Sequence, residues 1–194
     1  MASHFAESYK GTPPWDIGRP QPEFVRVAKE GGIRGRVLDV GCGTGEHAIF
    51  FAGLGNDVLG LDSAPLAIEK AKRKALKRES QARFLVGDAL RIDRLGHRFD
   101  TVTDCGLFHT FSDRERRVFV KSLKGALEKS GTYYMLCFSD KEPDDWGGPR
   151  RITRDEILEA FRRGWKVNYV REARILTTFN IEGGWGWMSS ITCT

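Results

Sequence analysis

Glycines at positions 41, 43 and 45 follow directly on the apolar run Val37-Leu38-Asp39-Val40. A GxGxG turn of this kind lets the backbone approach a ligand closely, because glycine accepts positive φ and carries no Cβ. It reads as a strand running into a nucleotide-binding turn. Acids recur downstream at Asp62, Asp88 and Asp104, the first of them 21 positions after Gly41. A carboxylate at that distance suits the hydroxyls of a ribose. Glu46 stands where the dinucleotide fingerprint GxGxxG has its third glycine. At a helix start that carboxylate would repel a pyrophosphate and suits a ligand with an ammonium or sulfonium charge. Asp104, Cys105 and His109 are the titratable groups of the segment Asp104-Cys105-Gly106-Leu107-Phe108-His109-Thr110-Phe111. An imidazole titrating near pH 6.5 could take a proton from a thiol, a phenol or a heteroaromatic hydroxyl. The alternative is a histidine that packs or bonds a backbone carbonyl.

The elements that must position these groups alternate along the chain. Apolar runs predict strands near 36–40, 57–61, 82–86, 99–104, 132–138, 165–172 and 186–193, and amphipathic segments predict helices near 22–31, 45–54, 65–78, 113–129 and 153–162. Pro65 suits a first helical turn, and Ser130-Gly131 reads as a helix stop before a strand. Such β-α alternation gives an α/β fold with helices on both faces of a mostly parallel sheet. The last two strands have no helix between them and should form a hairpin. In the helix near 65–78, Ile68, Ala71, Ala75 and Leu76 form the inward stripe, leaving the basic residues on a solvated outer face rather than on nucleic acid.

The motif Leu38-Asp39-Val40-Gly41-Cys42-Gly43-Thr44-Gly45-Glu46-His47-Ala48 resembles motif I of the Rossmann-like S-adenosylmethionine (SAM) methyltransferases, with ordered acids behind it. The resemblance implies a seven-stranded sheet of order 3-2-1-4-5-7-6 with strand 7 antiparallel. It also implies SAM as cofactor and S-adenosylhomocysteine as its product. Carried over residue by residue, it places Asp39 at the glycine loop or the positive end of the cofactor, although Asp39 could instead cap loop amides. Gly41, Cys42, Gly43, Thr44 and Gly45 form the loop, Asp62 and Ser63 meet the ribose, and Asp88 and Ala89 meet the adenine, unless Asp88 merely caps its turn. Asp104 would lie beside the transferred methyl. The segment after strand 4 contains no Asn-Pro-Pro-Tyr, the signature of relatives that methylate exocyclic amines of bases or glutamine amides, which speaks against those acceptors.

The lead-in Pro13-Pro14-Trp15-Asp16-Ile17-Gly18-Arg19-Pro20-Gln21-Pro22 resembles that of a small-molecule subgroup akin to thiopurine and thiol S-methyltransferases and to heterocyclic-toxin methyltransferases. There it forms a lid, which makes Trp15, Asp16 and Arg19 lid candidates and Trp15 a contact of both ligands. Its alternative is a packing arm over a sheet edge. Cys137-Phe138-Ser139-Asp140 and Trp146-Gly147-Gly148-Pro149-Arg150-Arg151 resemble a second wall. Phe108, His109, Phe111, Phe138, Trp146 and Arg150 thereby become acceptor-site candidates, with His109 and Asp104 the candidate bases. The expected reaction is methyl transfer to S, O or ring N of a small aromatic or thiol-bearing molecule.

With 194 residues the chain suits one domain over 1–194, with 1–32 as lid and first helix. Four cysteines without CxxC spacing read as reduced thiols, and no His, Cys, Asp or Glu grouping has metal spacing. No apolar run reaches the roughly 20 residues of a membrane helix and no signal-peptide core is visible. These features predict a cytoplasmic monomer or weak dimer with no metal, no membrane and no nucleic-acid partner. Two rivals stand beside this reading. One is a SAM-binding sensor or partner subunit without turnover. The other is an NAD-dependent oxidoreductase, disfavoured by Glu46 and by the lack of a Tyr-x-x-x-Lys pair.

Overall fold

The computed structural model describes residues 6–143 and 148–194. Helix α1 (Pro22–Lys29) precedes strand β1 (Arg36–Val40), α2 (Glu46–Gly53), β2 (Asp57–Asp62), α3 (Pro65–Lys77) and β3 (Arg83–Val86). A 3₁₀ segment (Ala89–Arg94), β4 (Phe99–Cys105), a second 3₁₀ turn (Phe108–Thr110), α4 (Asp113–Ala126), β5 (Leu127–Phe138), α5 (Arg154–Ala160), β6 (Trp165–Ile175) and β7 (Gly184–Cys193) complete the chain. The strands form one sheet of order β3-β2-β1-β4-β5-β7-β6. Pairing is parallel from β3 to β5, and β7 runs antiparallel to both β5 and β6. This is the Rossmann-like methyltransferase topology, with its terminal hairpin.

A parallel sheet must be covered on both faces, so its central strands read as apolar runs instead of alternating patterns. β1 sends Val37 to one core and Leu38 and Val40 to the other, all three fully buried. The first core takes Phe24 and Val27 of α1, Ala48, Ile49 and Phe51 of α2, and Ile68, Ala71 and Ala75 of α3. The second takes Phe119, Leu123 and Ala126 of α4 and Ile157 of α5. The Ser112–Glu115 and Thr153–Glu156 capping boxes fix where α4 and α5 begin.

Several local expectations need correction. Helix α4 stops at Ala126 rather than near 129, because Leu127 is fully buried and pairs with Phe99 at the start of β5. Ser130-Gly131 therefore marks an irregularity within β5, where the register slips between Phe99 and Thr101 and Ser130 takes φ 68°. On α3, Ala67 joins the inward stripe while Leu76 is 82% exposed. The hairpin strands are also longer than predicted, reaching Ile175 and beginning again at Gly184.

The candidate active site

β1 lies between β2 and β4, and the strand order reverses between β1 and β4. The crevice beyond the carboxyl ends of the strands at such a reversal is where open α/β sheets bind ligands. Here it is a cavity of about 660 Å³. Its walls are the glycine turn after β1, the turns after β2, β3 and β4, the 14–21 segment, and the loop between β6 and β7.

The glycine turn is built on close approach. Gly45 sits at φ 84° as the N-cap of α2, and a Cβ there would lie 2.7 Å from the Phe84 ring. The Gly41 and Cys42 amides both donate to the Leu61 carbonyl, at 2.7 and 3.0 Å, tying the turn to the end of β2. Asp62 clamps the same turn. Its Oδ2 accepts from the Gly43 amide at 2.9 Å and its Oδ1 from the Ala64 amide at 2.9 Å, while the side chain faces the cavity. Burial raises its pKa and these amide bonds oppose the rise. Asp88 also reaches the wall. Its Oδ1 accepts from the Leu90 amide at 2.8 Å, so capping and lining are done by one carboxylate. Ser63, Ala89, Cys42 and Thr44 line the cavity as well.

Glu46 does not offer its charge to a ligand as expected. It is 7% exposed and is bonded by Lys74 Nζ at 2.6 Å and Arg78 Nη1 at 2.7 Å, both from the C-terminal half of α3 and its end. Burial opposes its charge, but the two cations outweigh burial and hold its pKa below the usual value. Two cations assigned to a solvated face by their helical position thus turn inward. Lys74 Nζ also donates to Thr44 Oγ1 at 2.7 Å, and that hydroxyl donates to Asp16 Oδ2 at 2.7 Å.

That bond fastens the N-terminal segment to the glycine turn. Trp15, Asp16 and Arg19, the three lid candidates, all line the cavity. Trp15 Nε1 donates to the Tyr9 hydroxyl at 3.1 Å. At the segment's other end the Gln21 side chain holds both polar groups of Leu176, each at 2.9 Å, and the Gln21 amide donates to His47 Nε2 at 3.0 Å. The Thr178 amide donates to the Pro14 carbonyl at 2.9 Å, so the β6–β7 loop closes against the same segment.

Sequence reasoning missed Tyr9, Gln21, His47, Thr177 and Phe179, all on the wall. Only a pattern linking residues 155 positions apart, as Gln21 and Leu176 are, could have signalled this closure.

Several expected contacts lie elsewhere. Asp39 is 2% exposed and sits behind the wall, with Oδ1 accepting from Thr103 Oγ1 at 2.9 Å and Oδ2 without a hydrogen-bond partner among the described residues. Burial pushes its pKa up to about 7. Asp104 is fully buried and absent from the wall. Its carboxylate accepts from the Leu107 amide at 2.8 Å, the Phe108 amide at 3.0 Å and the Tyr133 hydroxyl at 2.8 Å, so it shapes the turn after β4 instead of facing a ligand. Burial lifts its pKa to about 7.

Phe108 is core, packed on Phe119 and Phe161 beneath the Arg116 guanidinium. Arg150 bonds Asp113 at 2.5 Å and also Glu156, stapling α4 to α5 away from the cavity. Trp146 lies outside the described residues. Phe111 and Phe138 do line the cavity.

His109 reaches the wall in a form unsuited to a base. Its Nδ1 accepts from the Phe138 amide at 3.0 Å, and its ring stacks on the Phe138 ring at 5.3 Å and 9°. With Nδ1 accepting, the neutral ring carries its proton on Nε2 and has no lone pair left for another. Burial, aided by the Arg116 charge, drives its pKa down to about 3. Among the described residues no group of three or more His, Cys, Asp or Glu side chains is placed to hold a metal ion.

The cavity fits the implied cofactor. Asp16, Asp62 and Asp88 face a space entered by Gly41 and Gly43 of the glycine turn, as suits a ligand with sulfonium and ammonium charges, whereas Gly45 stands behind the wall against Phe84. Comparison with known proteins agrees. Residues 37–131 match a methyltransferase domain family model.

The chain is 34% identical over 181 residues to a 2-heptyl-1-hydroxyquinolin-4(1H)-one methyltransferase of Mycobacteroides abscessus, covering 88% of this chain and 80% of that protein. It is 30% identical over 142 residues to a probable thiol methyltransferase 2 of Arabidopsis thaliana, covering 72% and 62%. A structure solved in work on the conversion of a disulfide bond into a thioacetal group during echinomycin biosynthesis superposes with a TM-score of 0.88 at 34% identity, over 100% of this chain and 91% of that one. Structures sharing the fold at lower identity hold SAM or S-adenosylhomocysteine. The chain belongs to the SAM-dependent methyltransferases.

Proposed function

We propose that the chain methylates small aromatic or thiol-bearing molecules at S, O or ring N, using this one cavity beyond the strand ends for both cofactor and acceptor. The observation that carries this reading is one continuous wall on which the acidic glycine-turn side and the aromatic side, Phe111 and Phe138, face the same space. The named relatives support it, one acting on a hydroxyquinolone and one a probable thiol methyltransferase. When bound, SAM supplies an activated methyl group on a sulfonium.

The chain's own residues do the rest. Asp62 is positioned to accept from ribose hydroxyls on the lone pairs its two amide bonds leave free, and Asp88 and Ala89 flank the adenine. Trp15 closes over both ligands, and Asp16 and Arg19 over the acceptor, as a lid held by Thr44 and Gln21. Methyl transfer from a sulfonium neutralises charge, so a dry and ordered site contributes more than an oxyanion hole. We place this reaction in a single domain acting as a monomer or weak dimer in the cytoplasm. No helix among the described residues is long and apolar enough to cross a membrane.

The test is mass spectrometry of S-adenosylhomocysteine formed from SAM across thiols, thiopurines, hydroxyquinolones and phenols. Product with at least one of these classes supports the reading. Calorimetric SAM binding without product in any class overturns it in favour of a sensor or partner subunit.

A further inference from the structure

The groups that could accept a proton inside the cavity are held by bonds within the protein or, for Asp62 and Asp88, set against the cofactor in the reading above. His109 has its free nitrogen taken by the Phe138 amide, and His47 accepts from the Gln21 amide. Burial holds these imidazoles neutral, at about 3 and about 4. Asp62 holds an amide on each oxygen, and Asp16 holds the Thr44 hydroxyl and the Gly18 amide. Glu46 is paired with Lys74 and Arg78. Glu115 closes the α4 capping box, and the Ser112 hydroxyl and amide keep its pKa low. Burial pushes the Cys42, Cys105 and Tyr9 protons to stay on. Asp88 caps its own turn on the β3 side.

Against these acids, Arg19 is the one permanent cation on the wall among the described residues. No carboxylate among them pairs with it, whereas Lys74, Arg78, Arg116, Arg150 and Arg171 are all paired. Its backbone is pinned on both sides, at Asp16 by Thr44 and at Gln21 by Leu176 and His47. An exposed, unpaired guanidinium on the wall of a cavity whose other charged side chains are acids is arranged to receive an anion.

We propose that the acceptor binds already ionised, as a thiolate or an aromatic oxyanion, with Arg19 as its recognition residue and no protein group removing its proton. This inference rests on the acceptor reading above. In the transfer the acceptor's lone pair forms the bond to the methyl carbon as the carbon–sulfur bond breaks with its pair remaining on sulfur. The two opposite charges cancel and no proton leaves. Discrimination then falls on acidity, so acidic thiols and hydroxyls are accepted at neutral pH and ordinary alcohols and amines are not.

The test uses the enzyme loaded with S-adenosylhomocysteine and two chromophoric probes of different acidity, 4-nitrothiophenol and 4-nitrophenol, whose absorbance reports their ionisation. Each should bind as its anion, with an affinity that rises with pH up to that probe's own pKa. An inflection shared by both probes would belong to the protein, as Asp39 or Asp104 could supply at about 7, and would overturn the proposal. Arg19→Gln should weaken probe binding at least tenfold while S-adenosylhomocysteine affinity stays within twofold, and Arg19→Lys should recover part of the loss. Equal losses for both ligands in Arg19→Gln would assign the guanidinium to the cofactor carboxylate and overturn it. Binding of neutral probe would defeat this inference alone, whereas binding of neither probe, joined to no turnover on any acceptor class, would defeat the acceptor reading with it.

Discussion

Asp62 carries more of the site than a single hydrogen bond, since one carboxylate spans the glycine turn and the start of α3 while facing the cavity. Removing a charged group of this kind costs about 1.5–3 kcal/mol. Asp62→Ala should therefore weaken SAM binding at least tenfold by calorimetry, and unchanged affinity would show that the carboxylate only shapes the turn. His109 makes an opposite prediction. Unfolded it titrates near 6.5, and folded near 3, so the unfolded chain binds more protons between those values. Its stabilising contribution is present above pH 6.5 and is lost as the pH falls toward 3. His109→Gln should narrow the difference in unfolding free energy between pH 6.5 and pH 5 by about 2 kcal/mol, read from urea denaturation at the two values. Asp104 was legible as a titratable group after β4. Its burial was not, because the Tyr133 hydroxyl that bonds it comes from a neighbouring strand 29 positions away.

At the scale of elements, the glycine turn was readable because its demands are local. Gly45 needs positive φ and has no room for a Cβ, two constraints that only glycine meets. Gly45→Ala should lower stability by about 2–4 kcal/mol, combining left-handed strain with overpacking against Phe84, and lower the thermal midpoint by several degrees. The end of α4 was not readable in the same way, since a buried Leu127 decides it through pairing with Phe99 in another strand. The inward turn of Lys74 and Arg78 depends likewise on Glu46 arriving from a different helix. Lys74→Met leaves the buried Glu46 carboxylate with one cation, itself 44% exposed, and should cost about 1–3 kcal/mol in chemical denaturation. The same change removes a donor from Thr44, so it should also speed SAM release in stopped-flow fluorescence. An unaltered release rate would separate the fold-stabilising role of Lys74 from the lid.

The whole molecule joins two ends of the chain over one cavity. The α/β class followed from β-α alternation and the sheet order from the resemblance at the glycine turn, and the structure has that order. The closure of the site by Gln21 on Leu176 and by Thr178 on Pro14 is a long-range product of the terminal hairpin, which no local pattern encodes. These contacts make this side of the cavity a joint property of residues 14–21 and the β6–β7 loop. The most direct measurement is a single-turnover reaction with methyl-labelled SAM and one acidic aromatic thiol, followed by mass spectrometry of both products. The account predicts the label on the thiol sulfur in a one-to-one ratio with S-adenosylhomocysteine. Label remaining on SAM, with both ligands bound, would contradict it.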